Sequence, residues 1–210
     1  MTNYIDGYKE MVNSAAKWGL ILGVLMSASR IFETRVLVSG DVSEFMFLTL
    51  EWVAASVIYV LILHRANKQR AASRPAEQGY AFRDILNYTI LISIFASFIV
   101  AVSSHIYIVN SIGGYVNFAE ATTESLNAVI AEAGVDVESN AALLEQSAKS
   151  TESIIDNPPT ILTAVLSAMS SYILAGLLTT VALYWFVRRK KEYVGQCFTD
   201  ANEGQGDEQK

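Results

Sequence analysis

The residues with the clearest chemical potential in this chain are charged side chains inside long apolar stretches. An unpaired charge at the centre of a membrane span costs about 2.5–3.5 kcal/mol or more. Arg30 follows Lys17 by 13 residues, and Glu51 precedes His64 by 13. At about 1.5 Å per residue, both lie ~20 Å from the same membrane surface. We therefore predict an intramembrane ion pair between Arg30 and Glu51 on neighbouring antiparallel helices.

The role and the partners of these charges stay open. The pair could lock two helices together, or it could bind a substrate or a proton. Arg30 and Glu33 could instead extend towards the outer interface. Because Glu33 follows Arg30 by three residues, it could also neutralise Arg30 within one helix and leave Glu51 alone in the membrane. His105, near the end of the third apolar stretch, is expected at the outer interface facing lipid headgroups.

Four apolar stretches are long enough to carry these residues across a bilayer, whose core needs about 20 residues of helix. Charged residues make up 17% of the chain and hydrophobic ones 52%, against about 25% charged in an average soluble domain. The sequence predicts an all-α polytopic membrane protein. Its four transmembrane helices are expected at about 16–34, 45–63, 85–109 and 161–187, and the first has the shortest and weakest apolar run.

The distribution of basic residues predicts the orientation. Of the fifteen Lys and Arg residues, all but Arg30, Arg35 and Lys149 flank one side of the predicted spans. By the positive-inside rule, both termini are cytoplasmic and the protein lies in the bacterial inner membrane. No cleavable signal peptide is predicted. Residues 1–192 are expected to form one domain, followed by a disordered cytoplasmic tail at 193–210.

The segment between the third and fourth spans, residues 111–157, has a different composition. Acidic residues dominate it, and Lys149 is its one basic residue. Apolar residues recur at helical spacing on both sides of Gly134. We predict an acidic helical hairpin outside the membrane. It could pack on itself and on the bundle, dock a partner, or cover an opening between spans.

Small residues predict close helix packing in the first span. Gly19, Gly23 and Ser27 follow one another at intervals of four, which lets two helix backbones approach closely. The partner helix could belong to the same subunit or to a second copy of the chain.

Motifs for catalysis are missing, and this leaves two classes of function. The sequence lacks phosphate loops, dinucleotide fingerprints, zinc-protease and nucleophile-elbow motifs, so no enzyme activity, cofactor or metal is predicted. Its net charge of −6 argues against a nucleic-acid partner. We expect a non-catalytic scaffold or accessory subunit that contacts lipid and a membrane-protein partner or a second copy. The alternative is a small oligomeric transporter or channel with Glu51 as its ionisable site.

Three segments resemble a known family of small four-span proteins of Bacteroidota, domain of unknown function 4199. They are residues 15–23 (AAKWGLILG), 80–83 (YAFR) and 176–191, and the resemblance covers about residues 10–192. It implies an inner-membrane protein of unassigned activity, associated with a glycosyltransferase that acts on polyprenyl-linked sugars in envelope glycan metabolism. Arg30 and Glu51 match no position of the family pattern.

Overall fold

The computed structural model describes residues 2–75, 78–132 and 137–190, and its regular elements there are helices. A single β-bridge joins Tyr80 to Arg189. The prediction of an all-α chain is confirmed for these residues, whereas the predicted tail at 193–210 lies outside them. The helices are α1 (Thr2–Ser39), α2 (Val42–Ser73), α3 (Phe82–Tyr107), a π-helical turn (Ile108–Ile112), α4 (Tyr115–Glu132), α5 (Val137–Asp156) and α6 (Ile161–Val187).

Three helical segments are long and apolar enough to cross a membrane: α2, α3 with its π-helical turn, and α6. The chain thus has membrane-spanning character, and α6 begins and ends where the sequence predicted. Helices α2 and α3 are longer than predicted. Helix α1 contains the predicted first span but is not among the three. Its sequence carries Lys17, Arg30 and Glu33 within or beside the apolar stretch.

Helix α1 packs against α3 through its glycines. A Cβ atom at Gly19 would lie 2.5 Å from the Cβ of Phe95, and one at Gly23 would lie 2.9 Å from the Cβ of Ile99. The two helices therefore run parallel with their backbones in close approach. Ser27 is buried and donates its hydroxyl to the Gly23 carbonyl at 2.7 Å. The predicted small-residue surface thus faces α3 of the same chain.

Helices α2, α3 and α6 meet at Tyr59. Its hydroxyl donates to the Tyr172 carbonyl at 3.1 Å and shares a hydrogen bond with Ser93 at 3.1 Å. Gly176 permits this approach, since a Cβ there would lie 2.7 Å from the Ser93 hydroxyl. One buried tyrosine therefore links three helices.

Ser73, Tyr80 and Arg189 lie at one end of the helical bundle, which we call the basal end. A polar network closes this end. Buried Asn67 donates to the Thr89 hydroxyl at 3.0 Å and accepts from the Tyr80 hydroxyl at 2.9 Å. Burial raises the pKa of Tyr80, which keeps its hydroxyl a neutral donor. The bridge between Tyr80 and Arg189 has N···O distances of 2.9 and 3.1 Å. It fastens the end of α6 to the connection between α2 and α3.

Helices α4 and α5 lie at the opposite end and pack antiparallel. Gly113 and Gly114 have φ angles of 92° and 119°, which favour glycine and end the π-helical turn before α4. The Thr123 hydroxyl shares hydrogen bonds with the hydroxyls of Thr151 at 2.7 Å and Ser147 at 3.3 Å. These contacts hold the two helices side by side. The turn predicted at Gly134 lies outside the described residues.

Candidate functional site

A cleft of about 1160 Å³ lies between α2 and α6, and α1 and α3 form its back wall. It exists because α2 packs mainly on α1 and α6 packs mainly on α3, so that α2 and α6 contact each other only locally, at Tyr59 and Tyr172. Helices α4 and α5 contribute lining residues at the far end. Exposed side chains along the α6 wall, such as Ser167, Ser171 and Leu178, leave the cleft open on one side.

The lining of the cleft is amphipathic. Apolar side chains come from all six helices, including Met26, Trp52, Ile108, Phe118, Ile154 and Leu178. Hydroxyl groups lie among them, including those of Ser29, Ser56, Ser104, Tyr115, Ser167 and Ser171. The hydroxyl of Ser104 is buried and has no hydrogen-bond partner among the described residues. Such a surface suits a molecule with both hydrocarbon and polar parts.

Arg30 and Glu33 are the charged residues of the lining. The Arg30 Nη1 lies 2.5 Å from the Glu33 Oε2. The Arg30 side chain is 49% exposed and that of Glu33 is 15% exposed. Among the described residues, Arg30 forms no salt bridge with Glu51. The sequence left open whether Arg30 pairs with Glu51 or with Glu33. In the structure Arg30 pairs with Glu33, within α1.

Glu51 approaches α1 one residue before Arg30. Its Oε1 accepts a hydrogen bond from the Ser29 hydroxyl, and its Oε2 is buried with no partner among the described residues. The predicted equal depth of Glu51 and Arg30 therefore holds to within one residue. The predicted contact does not form, since successive residues point about 100° apart around a helix. Ser29 faces Glu51, whereas Arg30 faces the cleft.

His105 lies near the end of α3 and contacts α4. Its Nδ1 and the Tyr115 hydroxyl are 3.2 Å apart, and the two rings lie 5.7 Å from each other. Burial raises the pKa of Tyr115, and the positive charge of Arg30 opposes this shift. The structure thus gives His105 a neighbour within the chain, and our expectation that His105 faces lipid headgroups at the outer interface stays a prediction. The contact of His105 connects α3 to Tyr115, which lines the cleft at its end near α4.

The aromatic residues of the cleft are functional candidates that the sequence did not reveal. Trp52, Tyr59, Tyr115 and Tyr172 come from three different helices. Nothing in their spacing indicates that they share a surface, because that depends on how α2, α4 and α6 pack. Within the described ranges, no three His, Cys, Asp or Glu side chains lie together as metal ligands. The arrangement is suited to binding an amphipathic molecule.

Comparison of the chain with family models, with curated proteins and with solved structures found no match. Membership of the domain of unknown function 4199 family therefore stays a prediction.

Proposed function

We propose that this chain is a non-catalytic inner-membrane protein that binds an amphipathic ligand in its cleft and serves as an accessory subunit. Four membrane-spanning helices would form the bundle. Helix α1 qualifies as the fourth because it runs parallel to α3 from the contact of Ser14 with Tyr88 to that of Gly23 with Ile99. If α3 spans the membrane, α1 lies at the same depth.

Charge distribution supports an orientation with the basal end in the cytoplasm. Exposed basic residues cluster there: Arg65, Lys68, Arg83, Arg188 and Lys190. Exposed acidic residues lie on α4 and α5: Glu120, Glu124, Glu132, Glu145, Glu152 and Asp156. Cytoplasmic segments of membrane proteins are enriched in Lys and Arg. The α4–α5 pair would then stand outside the membrane as a helical hairpin.

The cleft itself is the observation that carries the proposed ligand binding. A ligand site of this kind needs a concave, mostly apolar wall and a few polar groups that fix the orientation of the ligand. Both are present between α2 and α6, in a cleft that is open on one side. The open side faces the direction from which a membrane lipid or a lipid-linked molecule would enter.

Filling the cleft with a large side chain tests this proposal. In Ser171→Trp an indole would occupy the cleft, whereas in Ser170→Trp, an exposed neighbour outside the lining, it would project elsewhere on α6. Each variant is purified in mild detergent, and the retained lipids are identified by mass spectrometry. We expect wild type and Ser170→Trp to retain an amphiphile that Ser171→Trp loses. Equal retention by both variants would refute ligand binding in the cleft.

The accessory role predicts a protein partner, which the exposed acidic surface of α4 and α5 would contact. Cross-linking in native membranes followed by recovery of a tagged copy should yield a second protein in constant ratio. Deletion of residues 116–156 should abolish this association without preventing membrane insertion. Normal recovery of the partner with the deleted chain would contradict the proposed docking surface, and recovery of self-linked copies alone would indicate a homo-oligomer.

A second candidate function is transport coupled to Glu51, favoured by the unpartnered Oε2 of this residue. Glu51→Gln should remove a pH-dependent flux in liposomes, whereas Glu44→Gln, at the start of the same helix, should leave it intact. A structural ion pair with Arg30 would instead make the double change Arg30→Gln/Glu51→Gln more stable than either single change. We expect no such rescue.

A further inference from the structure

We infer that the amphiphile bound in the cleft is a membrane lipid with a net-negative phosphate headgroup, and that the headgroup is held by Arg30. This inference rests on the proposed ligand binding and names its chemical class.

The charged and uncharged parts of the lining lie at different depths. Glu51 contacts Ser29, so this level of α2 corresponds to the Arg30 level of α1. From there the α2 wall continues to Val60, which is nine residues or about 13 Å nearer the basal end. Leu178 lines the cleft on α6. Since none of the described residues that line the cleft beyond Arg30 in the basal direction is charged, hydrocarbon would lie there and the headgroup near Arg30.

The exposure of the charged side chains in and beside the cleft indicates the sign of the headgroup charge. Arg30 is half exposed in the cleft, whereas Glu33 is largely covered and already bound to Arg30. The Oε2 of Glu51 is buried. A cationic headgroup would find aromatic faces but no accessible carboxylate, whereas an anion can reach the guanidinium directly.

Arg30 retains donors for an anion after it binds Glu33. A guanidinium has five N–H groups in a planar fork that matches phosphate. Among the described residues, the hydrogen bond to Glu33 is the one formed by its side chain. The remaining N–H groups of Arg30 can therefore donate to phosphate oxygens.

The size and the opening of the cleft favour a whole lipid over a free anion. Its volume of about 1160 Å³ exceeds the roughly 300–1,000 Å³ of sites for small molecules. Its α6 wall extends from Thr163 to Thr179, which corresponds to about 24 Å of helix. A phosphate alone would leave most of this length uncovered.

Native mass spectrometry of the full chain provides the test. The protein is reconstituted with equal amounts of phosphatidylglycerol, which is anionic, and phosphatidylcholine, which is zwitterionic, and the bound lipids are counted. Both lipids offer a phosphate to Arg30, but the choline cation of phosphatidylcholine would lie near the Arg30 charge and repel it. We therefore expect the wild type to retain phosphatidylglycerol at about tenfold preference. Arg30→Gln should reduce the preference to about twofold or less. The matched control, Arg35→Gln, removes an exposed charge from the same helix outside the lining and should retain it.

Glu33→Gln provides an independent test that can be made even if Arg30→Gln fails to fold. Freed from its carboxylate partner, the guanidinium should bind the anionic headgroup more tightly and raise the preference about threefold or more. A lower preference in this variant would overturn the inference.

The remaining outcomes separate the inference from the proposed function. Retention of both lipids without preference in the wild type would refute the anionic headgroup and leave ligand binding in place. Retention of neither lipid would refute both. Equal losses in Arg30→Gln and Arg35→Gln would indicate general attraction to the protein surface and overturn the role of Arg30. Displacement by millimolar inorganic phosphate would show that the site recognises the anion without its hydrocarbon.

Discussion

The approach of α1 to α3 at Gly19 predicts that a single methyl group destabilises the bundle. In Gly19→Ala the new Cβ would lie 2.5 Å from the Cβ of Phe95 and 3.0 Å from the Ile92 carbonyl oxygen. Carbon atoms in contact prefer about 3.5–4.0 Å, so the two helices must separate by roughly 1 Å. Neither of these atoms can rotate away, because one is bonded to the backbone and the other belongs to it.

The magnitude follows from two opposing effects. Overpacking a close interface costs about 1–3 kcal/mol, and alanine favours a helix over glycine by about 0.8–1.0 kcal/mol. We therefore expect Gly19→Ala to lower the free energy of unfolding by up to about 2 kcal/mol, and by about 1–3 kcal/mol relative to a Gly→Ala change with no packing cost. Gly7→Ala is the matched control on the same helix, since nothing lies within 4 Å of a Cβ there. It should be neutral or slightly stabilising.

Equilibrium unfolding in mixed detergent micelles, followed by tryptophan fluorescence, measures both variants. Equal stability of Gly19→Ala and Gly7→Ala would refute the packing argument. The packing argument would also be refuted if Gly19→Ala left the stability of the monomer unchanged but prevented dimer formation, because Gly19 would then face a second copy of the chain.

Three further changes test other parts of the fold. Asn67→Leu leaves two buried hydroxyls without their partner and should destabilise the protein by about 1–3 kcal/mol in the same unfolding assay. Thr123→Val removes the hydrogen bonds of Thr123 to Ser147 and Thr151 and leaves that of Thr151 to the Ala119 carbonyl, so hydrogen exchange should accelerate in α4 and α5 and stay unchanged in α3. The hydroxyl and amide of Ser43 donate to Asp41 and hold the pKa of this helix cap below its ordinary 3.8. The Asp41 cap therefore contributes fully to stability above pH 3.8, and this contribution is lost as the pH falls through the lowered pKa. In Asp41→Ala, a pH titration of stability should no longer show this loss.

The span of α6 could be predicted from sequence because one signal determines it. Its apolar run starts after a proline pair and stops at a basic cluster, and the helix has the same limits, Ile161–Val187. The ends of α2 were missed, because the helix continues to Ser73 through charged residues with good helix propensity. Hydropathy indicates where lipid contacts a helix, whereas hydrogen bonding determines where the helix ends.

The candidate site was only partly predictable, because the depth of a side chain along its helix and the direction in which it points are determined by different features of the chain. Counting residues gave the height of Arg30 and Glu51 correctly to within one position. The direction of each side chain depends on the rotation of each helix about its axis, which is set by packing, here the glycine contacts of α1 with α3. The cleft arises from the separation of two helices far apart in sequence, so no local pattern could indicate it.

The fastening of α6 at the basal end has a mechanical consequence. Tyr80 bonds Arg189 through two backbone hydrogen bonds, and the Arg189 side chain donates to the carbonyls of Ala71 and Arg74. A tilt of α6 away from α2 must therefore pivot about this end. A rotation of 10° about such a pivot displaces the far end of a 27-residue helix by roughly 7 Å, given its length of about 40 Å. The end of the cleft near Pro159 would thus widen most, Tyr172 midway along α6 would move by roughly 4 Å, and Leu178, nearer the pivot, would move less.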